Sequence, residues 1–358
     1  MEGSEAIVEA AIVAGCRFFA GYPMTPFTEV LEYFAAKLPE VGGVCVNAES
    51  ELEAVGMAWG ALATGARAAT GSTGQGISLM QESFSEITLA QLPLVAFNMA
   101  RGQGDYFQAT RGGGHGDYRH IVLAPVDAAE AVELTQLAFH LADKWLHPVL
   151  IYGDYLLAHT SQAVAVAPLD FGPVPNKDWA VDGSLAGTGR SRSVTPLGLA
   201  KLGQGPREGI EPHLRRLVEK QGEIDGEETR VETAYLDDAE TVIVAFGSPA
   251  KFVRYAIDEL RADGERIGFV RPITLWPFPS DAVAEAASGA RTVATFELCA
   301  GQMVDDVRLA VLGAAPVTTA GGISTDHSGF GVGKLYDTDV VRERVLAVHR
   351  GDELPPLP

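Results

Sequence analysis

Cysteine is scarce in this chain. Its 358 residues include three, Cys16, Cys45 and Cys299, far apart and with no CxxC pair. A disulfide framework is therefore disfavoured, and an iron–sulfur cluster, which takes four thiolates, cannot be built from this chain alone. Positive charge is short as well: 27 Lys and Arg stand against 47 Asp and Glu, a net charge of −20. Nucleic acid and anionic membranes, which need a basic footprint, are disfavoured as partners, whereas a basic or metal-bearing protein is compatible. No apolar run approaches the ~18 residues of a membrane helix. The opening Met1-Glu2-Gly3-Ser4-Glu5 is acidic where a secretory signal is basic, so a cytoplasmic location is expected. Also missing are the Lys-Ser/Thr ending of a Walker loop, a nucleophile elbow, a paired-acid signature and any histidine–carboxylate cluster with metal-ligand spacing. No protein-held metal is expected. Residues 183–189 (GSLAGTG) imitate a dinucleotide fingerprint, but no strand precedes them, which argues against NAD.

What is present is α/β patterning. The stretch Val46–Glu82 carries the richest signal. A β-branched run, Val44 to Val46, ends in Asn47, and the acidic cluster Glu49, Ser50, Glu51, Glu53 follows. Leu52, Val55, Gly56, Trp59 and Ala63 recur at helical spacing, with Gly56 and Gly60 one turn apart on a face able to approach another backbone closely. A second strand, Arg67 to Thr70, runs into the glycine turn Gly71–Gly76, and a helix starts near Ile77. Together these form a parallel crossover unit, in which ligands bind beyond the carboxyl ends of the strands. Glu51 and the glycine turn both fall at that edge.

The rest of the chain repeats the alternation. Strands are read at Arg17–Gly21, Pro93–Met99, Ile121–Leu123 and Pro148–Tyr152, with helices at Ala6–Ala14, from Pro26 to about Lys37, and at Ala128–Lys144. Thr25 followed by Pro26 forms a cap-then-proline helix start, repeated at Ser248-Pro249. Gly102 to Tyr118 reads as a long glycine-rich loop. From Ala167 to Gln204 prolines, glycines and serines dominate, yet Leu169, Phe171, Trp179 and Leu185 need burial. After a helix from Glu211 to about Glu223, a second α/β unit starts at Glu240. The expected organisation is a doubly wound parallel-sheet domain over residues 1–166, a linker or wrapping arm over 167–236, and a smaller α/β domain over 237–350.

Several residues invite a chemical role. Tyr22-Pro23-Met24-Thr25-Pro26 offers a hydroxyl and free N–H groups suited to a carboxylate or phosphate, although on its own this motif reads better as an ordinary N-cap. Arg101, just past a buried strand, can grip a carboxylate through two parallel hydrogen bonds; the alternative is a structural ion pair with Asp105. Glu51 suits a helix start on dipole grounds alone. His115, among three glycines and Asp117, is a weak candidate for a ligand or base.

Taken together, Tyr22–Pro26, Glu49–Gly60, Gly71–Glu82, Arg101 and Gly112–Tyr118 resemble the α subunit of the 2-oxoacid:ferredoxin oxidoreductases, and Arg271–Pro279 and Gly301–Val311 resemble that family's second, transketolase-C-like domain. The stretch Tyr106–Asp117 most resembles the 2-oxoisovalerate branch. The resemblance implies a thiamine-diphosphate pyrimidine-type first domain. Glu51 would then meet the aminopyrimidine ring, favouring the imino tautomer that removes the thiazolium proton. Pro23, Ser72 and Thr73 would complete the cofactor contacts. Thr25, Arg101, Tyr22 and His115 would hold the 2-oxoacid. A β subunit would supply Mg²⁺ and the diphosphate contacts. Iron–sulfur clusters would lie in partner subunits, with separate γ and ferredoxin-like subunits, coenzyme A as acyl acceptor and ferredoxin as electron acceptor. Two other readings remain open at this point: a thiamine-dependent non-oxidative decarboxylase or transferase subunit, and a non-catalytic assembly subunit.

Overall fold

The structure, a computed structural model, describes residues 1–181, 210–326, 331–334 and 337–357. Leu185 and the 183–189 glycine run lie outside the described residues. The first half lays down β1 (Phe18–Gly21), β2 (Val44–Asn47), β3 (Ala68–Ser72), β4 (Val95–Ala100), β5 (Ile121–Leu123) and β6 (Val149–Asp154). The second half adds β7 (Val231–Ala234), β8 (Thr241–Ala245), β9 (Ile267–Pro272), β10 (Thr274–Trp276), β11 (Thr292–Phe296) and β12 (Val317–Thr319).

The first sheet has the order β10-β5-β6-β4-β3-β1-β2, with β1 to β6 all parallel and β10 antiparallel to β5. Every residue of β3, β4 and β6 is buried, as a sheet covered on both faces requires. Helices Gly3–Val13, Thr28–Lys37 and Ala128–Trp145 cover one face through a cluster that includes Phe19, Phe34, Phe97 and Leu137. Helices Glu51–Ala63 and Gln81–Leu89 cover the other through Val55, Ile77, Phe84 and Leu94. The sheet is therefore doubly wound. The chain leaves β1 outward to β2, then crosses back to β3 on the far side of β1, so the switch in strand order falls between β1 and β3. A crevice opens at the carboxyl end of such a point.

The second sheet, β12-β11-β8-β9-β7, is parallel apart from β7. The two sheets are joined firmly. Arg271 grips Glu130 with two bonds of 2.8 Å and Glu232 with one of 2.6 Å. Gln103 donates to the Phe246 carbonyl and accepts from the Leu298 amide, both at 2.8 Å. The β10 strand is itself a graft from the second half onto the first sheet; its three residues sit in the Arg271–Pro279 stretch.

Several local readings are corrected. Pro26 is not the first helical residue. A turn closed by Phe27 N–H to the Met24 carbonyl precedes the helix, which begins at Thr28, because Phe27 is drawn into the aromatic cluster with Phe19. The Thr25–Pro26 peptide is cis. Ser248 does not cap its helix either: its hydroxyl donates to Asp154 Oδ1 at 2.8 Å across the two domains, and the helix opens at Gly247. Gly71 and Ser72 belong to β3, and the next helix starts at Gly74 rather than near Ile77. The Gly102–Tyr118 stretch contains a helix, Tyr106–Arg111. Helix Glu51–Ala63 buries Glu51, Ala54, Val55, Ala58 and Leu62, whereas Leu52 is 49% exposed. Among the described residues nothing comes within 4 Å of a Cβ placed at Gly56 or Gly60. Apolar residues lie on both sides of that helix, so periodicity alone could not choose its inner face. In the arm, Trp179 is buried and Phe171 is half-buried, but Leu169 is 46% exposed.

Candidate active site

The candidate residues follow the ends of four adjacent strands. Tyr22 to Thr25 leave β1, Glu51 opens the helix after β2, Ser72 ends β3 with Thr73 behind it, and Arg101 follows β4. Strand register fixes this alignment, pairing Gly21 with both Asn47 and Gly71, and Ser72 with Asn98.

Of the acidic cluster, only Glu51 turns inward. It is 3% exposed, while Glu49 and Glu53 face solvent and Glu53 is taken by the Ser50 hydroxyl. Ser72 Oγ donates to Glu51 Oε1 at 3.0 Å. The other carboxylate oxygen has no hydrogen-bond partner among the described residues. Room for this pair depends on Gly76, where a Cβ would stand 2.2 Å from Glu51 Oε1 and 2.1 Å from Ser72 Oγ. A side chain there would force Glu51 or Ser72 to move and break the pair. Beside it, the fully buried Thr73 hydroxyl has no partner. A buried hydroxyl without a bond is costly, so the site has hydrogen-bonding capacity held for something else.

Arg101 donates from Nε to the Thr25 carbonyl at 3.2 Å. That single bond orients the guanidinium and leaves its terminal amino groups without a partner among the described residues. No ion pair with Asp105 forms: Asn98 Nδ2 donates to Asp105 Oδ2 at 3.3 Å instead. Burial pushes the Asp105 carboxyl upward, opposed by the Asn98 hydrogen bond and the Arg101 charge. Asp105 in turn requires Gly74, where a Cβ would lie 2.6 Å from its Oδ1.

The structure thus joins Thr25 with Arg101 and Glu51 with Ser72, along one sheet edge. A cavity of about 600 Å³ at that edge reaches Thr73, Arg101 and Asp105, with Leu298, Gln302 and Ile323 of the second domain opposite. Thr25 and Glu51 are outside its walls. Tyr22 is half-buried and Pro23 exposed beside them. His115 is elsewhere, with its Nε2 2.7 Å from Glu86 Oε1 on an exposed surface. Sequence reasoning missed Asp105 as a wall of the cavity, Gly76 as the space for Glu51, and Gln103 as the clamp on the Arg101 loop.

A family model described as pyruvate flavodoxin/ferredoxin oxidoreductase, thiamine diphosphate-binding, matches residues 9–180, and one described as pyruvate:ferredoxin oxidoreductase core domain II matches residues 239–328. The ketoisovalerate oxidoreductase subunit VorB of Methanothermobacter thermautotrophicus is 38% identical over 320 residues, covering 87% of this chain and 89% of the relative. This chain belongs to the 2-oxoacid:ferredoxin oxidoreductase family. The 2-oxoglutarate synthase subunit KorA of Methanothermobacter marburgensis is 33% identical over 346 residues, covering 88% of this chain and 92% of the relative. In fold the chain is similar to a 2-oxoglutarate:ferredoxin oxidoreductase from Magnetococcus marinus, with TM-score 0.78 and 24% identity over 98% of this chain; it spans 65% of that longer chain. It is also similar to a split-gene transketolase, with TM-score 0.60 and 15% identity over 98% of both chains. As an oxidoreductase subunit of this family, the chain carries the thiamine-diphosphate-binding domain in its first half. No helix among the described residues is long and apolar enough to cross a membrane.

Proposed function

We propose that this chain is the α-type subunit of an enzyme that converts a 2-oxoacid and coenzyme A to an acyl-CoA and carbon dioxide, the released electron pair passing to ferredoxin. The observation that carries this reading is the buried Glu51 carboxylate, held by one Ser72 bond and with one oxygen still open. Its surroundings fit the aminopyrimidine end of thiamine diphosphate: a carboxylate to share a proton with a ring nitrogen, a neighbouring orphaned Thr73 hydroxyl, and a glycine that keeps the space clear. When bound, thiamine diphosphate supplies an electron sink for the carbanion left as carbon dioxide departs.

This chain's own work is positioning and proton handling. Ser72 holds Glu51 by Oε1, which directs Oε2 toward the ring. Arg101, oriented by the Thr25 carbonyl, offers its two terminal amino groups to the substrate carboxylate as a fork. The Thr25 hydroxyl, beside it, meets the substrate carbonyl. The second domain, through Gln103, keeps the Arg101 loop from drifting. A β subunit closes the open side of this edge and holds the diphosphate with Mg²⁺, while iron–sulfur clusters in partner subunits, with γ and ferredoxin-like chains, carry the electrons away.

The test is co-expression with the partner subunits and assay of 2-oxoacid-dependent ferredoxin reduction. Turnover requires thiamine diphosphate, and Glu51→Gln in the assembled complex lowers it by about 10²–10⁴-fold, the usual worth of a positioned proton-transfer group. Near-wild-type turnover of the variant would contradict the assignment.

A further inference from the structure

The cavity beside Arg101 has an uneven chemistry. Among the described residues lining it, Arg101 is the only Lys, Arg or His. On the same side, hydrogen-bond acceptors gather. Gln108 turns its amide nitrogen to the Gly74 carbonyl at 2.9 Å and the Ser78 hydroxyl at 2.6 Å, which leaves its Oε1 buried without a partner. Asn98 likewise spends its amide nitrogen on Asp105 and keeps an orphaned, buried Oδ1 behind that carboxylate. Both amide orientations are therefore fixed by their donors, and the oxygens are what remain. Opposite this wall stand the apolar Leu298 and Ile323.

We infer that this cavity receives the side chain of the 2-oxoacid, and that Asp105 makes it selective for substrates without a second carboxylate. The inference rests on the reading above, in which Arg101 holds the substrate's own carboxylate. With that arginine committed, an ionised second carboxylate on this wall would face the Asp105 carboxylate and the orphaned Gln108 Oε1, and a carboxylate can only accept. It would lie near the Asp105 charge with no cation to pair it, and burying an unpaired charge is costly. A branched or linear apolar side chain meets no such conflict and covers Leu298 and Ile323 instead. Selectivity here arises from rejection of the wrong ligand as much as from attraction of the right one.

The experiment compares kcat/KM for 2-oxoisovalerate and 2-oxoglutarate in the complex of this chain with its partner subunits. The wild type should favour the monocarboxylate by about 100-fold or more, the scale on which an unmatched buried polar group is rejected. Asp105→Asn should narrow that ratio by about tenfold, since it removes a charge and adds a donor. If the Asn variant does not fold, Gln108→Glu tests the same wall in the opposite direction and should widen the ratio. Preference for 2-oxoglutarate by the wild type, or a ratio that the folded variants leave unmoved, overturns the cavity assignment and leaves the proposed function standing. A complex that turns over no 2-oxoacid overturns both.

Discussion

Glu51 and Glu297 are buried to nearly the same degree and differ in what they touch. Glu51, 3% exposed, follows β2 in the first sheet; Glu297, 2% exposed, follows β11 in the second. Glu297 is saturated. It accepts from the amides of Gln302 at 2.9 Å, Met303 at 2.7 Å and Val304 at 3.1 Å, so it caps the helix Met303–Val311 from outside that helix. The Cys299 thiol adds a contact at 3.5 Å, and burial together with the Glu297 charge pushes that thiol up to about 12. Glu51 stands at the start of its own helix and takes one hydroxyl. Position at the carboxyl end of a strand is therefore common to a carboxylate spent on structure and to one with an oxygen still open. Unspent hydrogen-bonding capacity separates them.

The sharpest way to break the comparison is Gly76→Ala. Its methyl group would displace the Glu51 carboxylate without removing it, and a misplaced group of this kind costs about 100-fold or more in turnover. Stopped-flow assay of the assembled complex checks this, and turnover unchanged by the alanine would show that the position of Glu51 does not matter. Next in size is Arg101→Lys. The ammonium cannot reproduce the fork, so KM for the 2-oxoacid should rise by about tenfold with a smaller change in kcat. A change confined to kcat would remove the substrate-binding role.

The same substitution on the other glutamate gives the opposite signature. Glu297→Gln leaves an acceptor for one or two of the three amides and loses the charge at a helix start, a destabilisation of about 1–2 kcal/mol. The loss should appear as a lowered Tm of the purified complex. If Glu297→Gln leaves Tm unmoved while Glu51→Gln lowers it, the contrast between the two residues is reversed.

The smallest effect concerns buried groups with no charge partner. His120 and His147 sit in the core of the first domain; burial lowers His120 to about 4 and His147 well below its usual value. Both are neutral when folded and protonate near 6.5 when unfolded. Above pH 6.5 neither contributes to the pH dependence. As pH falls from 6.5 toward about 4, the unfolded chain takes up protons that the folded chain does not, so stability is lost by about 1 kcal/mol per pH unit for His120. Denaturant titrations at pH 7.5 and 5.5, repeated on His120→Gln, measure the slope and its reduction.

Much of this architecture was legible in the sequence because parallel strands buried on both faces read as short apolar runs, and all six strands of the first half appear where such runs lie. The site edge was legible for the same reason: Thr25, Glu51, Ser72 and Arg101 each follow a run. What could not be read depends on contacts far apart in the chain. Nothing near Gly76 says that a carboxylate 25 residues earlier will need its missing Cβ. Thr25-Pro26 and Ser248-Pro249 carry the local signature of a helix start, and tertiary demands override both, burial of Phe27 in one case and the bond to Asp154 in the other. Asp105 was the alternative partner for Arg101; the loop after β4 instead folds it back onto Asn98.

The most direct measurement is the rate at which the C2 proton of thiamine diphosphate exchanges with deuterium, followed by NMR after acid quench in the complete complex. Glu51→Gln should slow this exchange by about 100-fold or more while the coenzyme stays bound. Exchange at the wild-type rate in that variant would mean that the open oxygen of Glu51 plays no part in the chemistry.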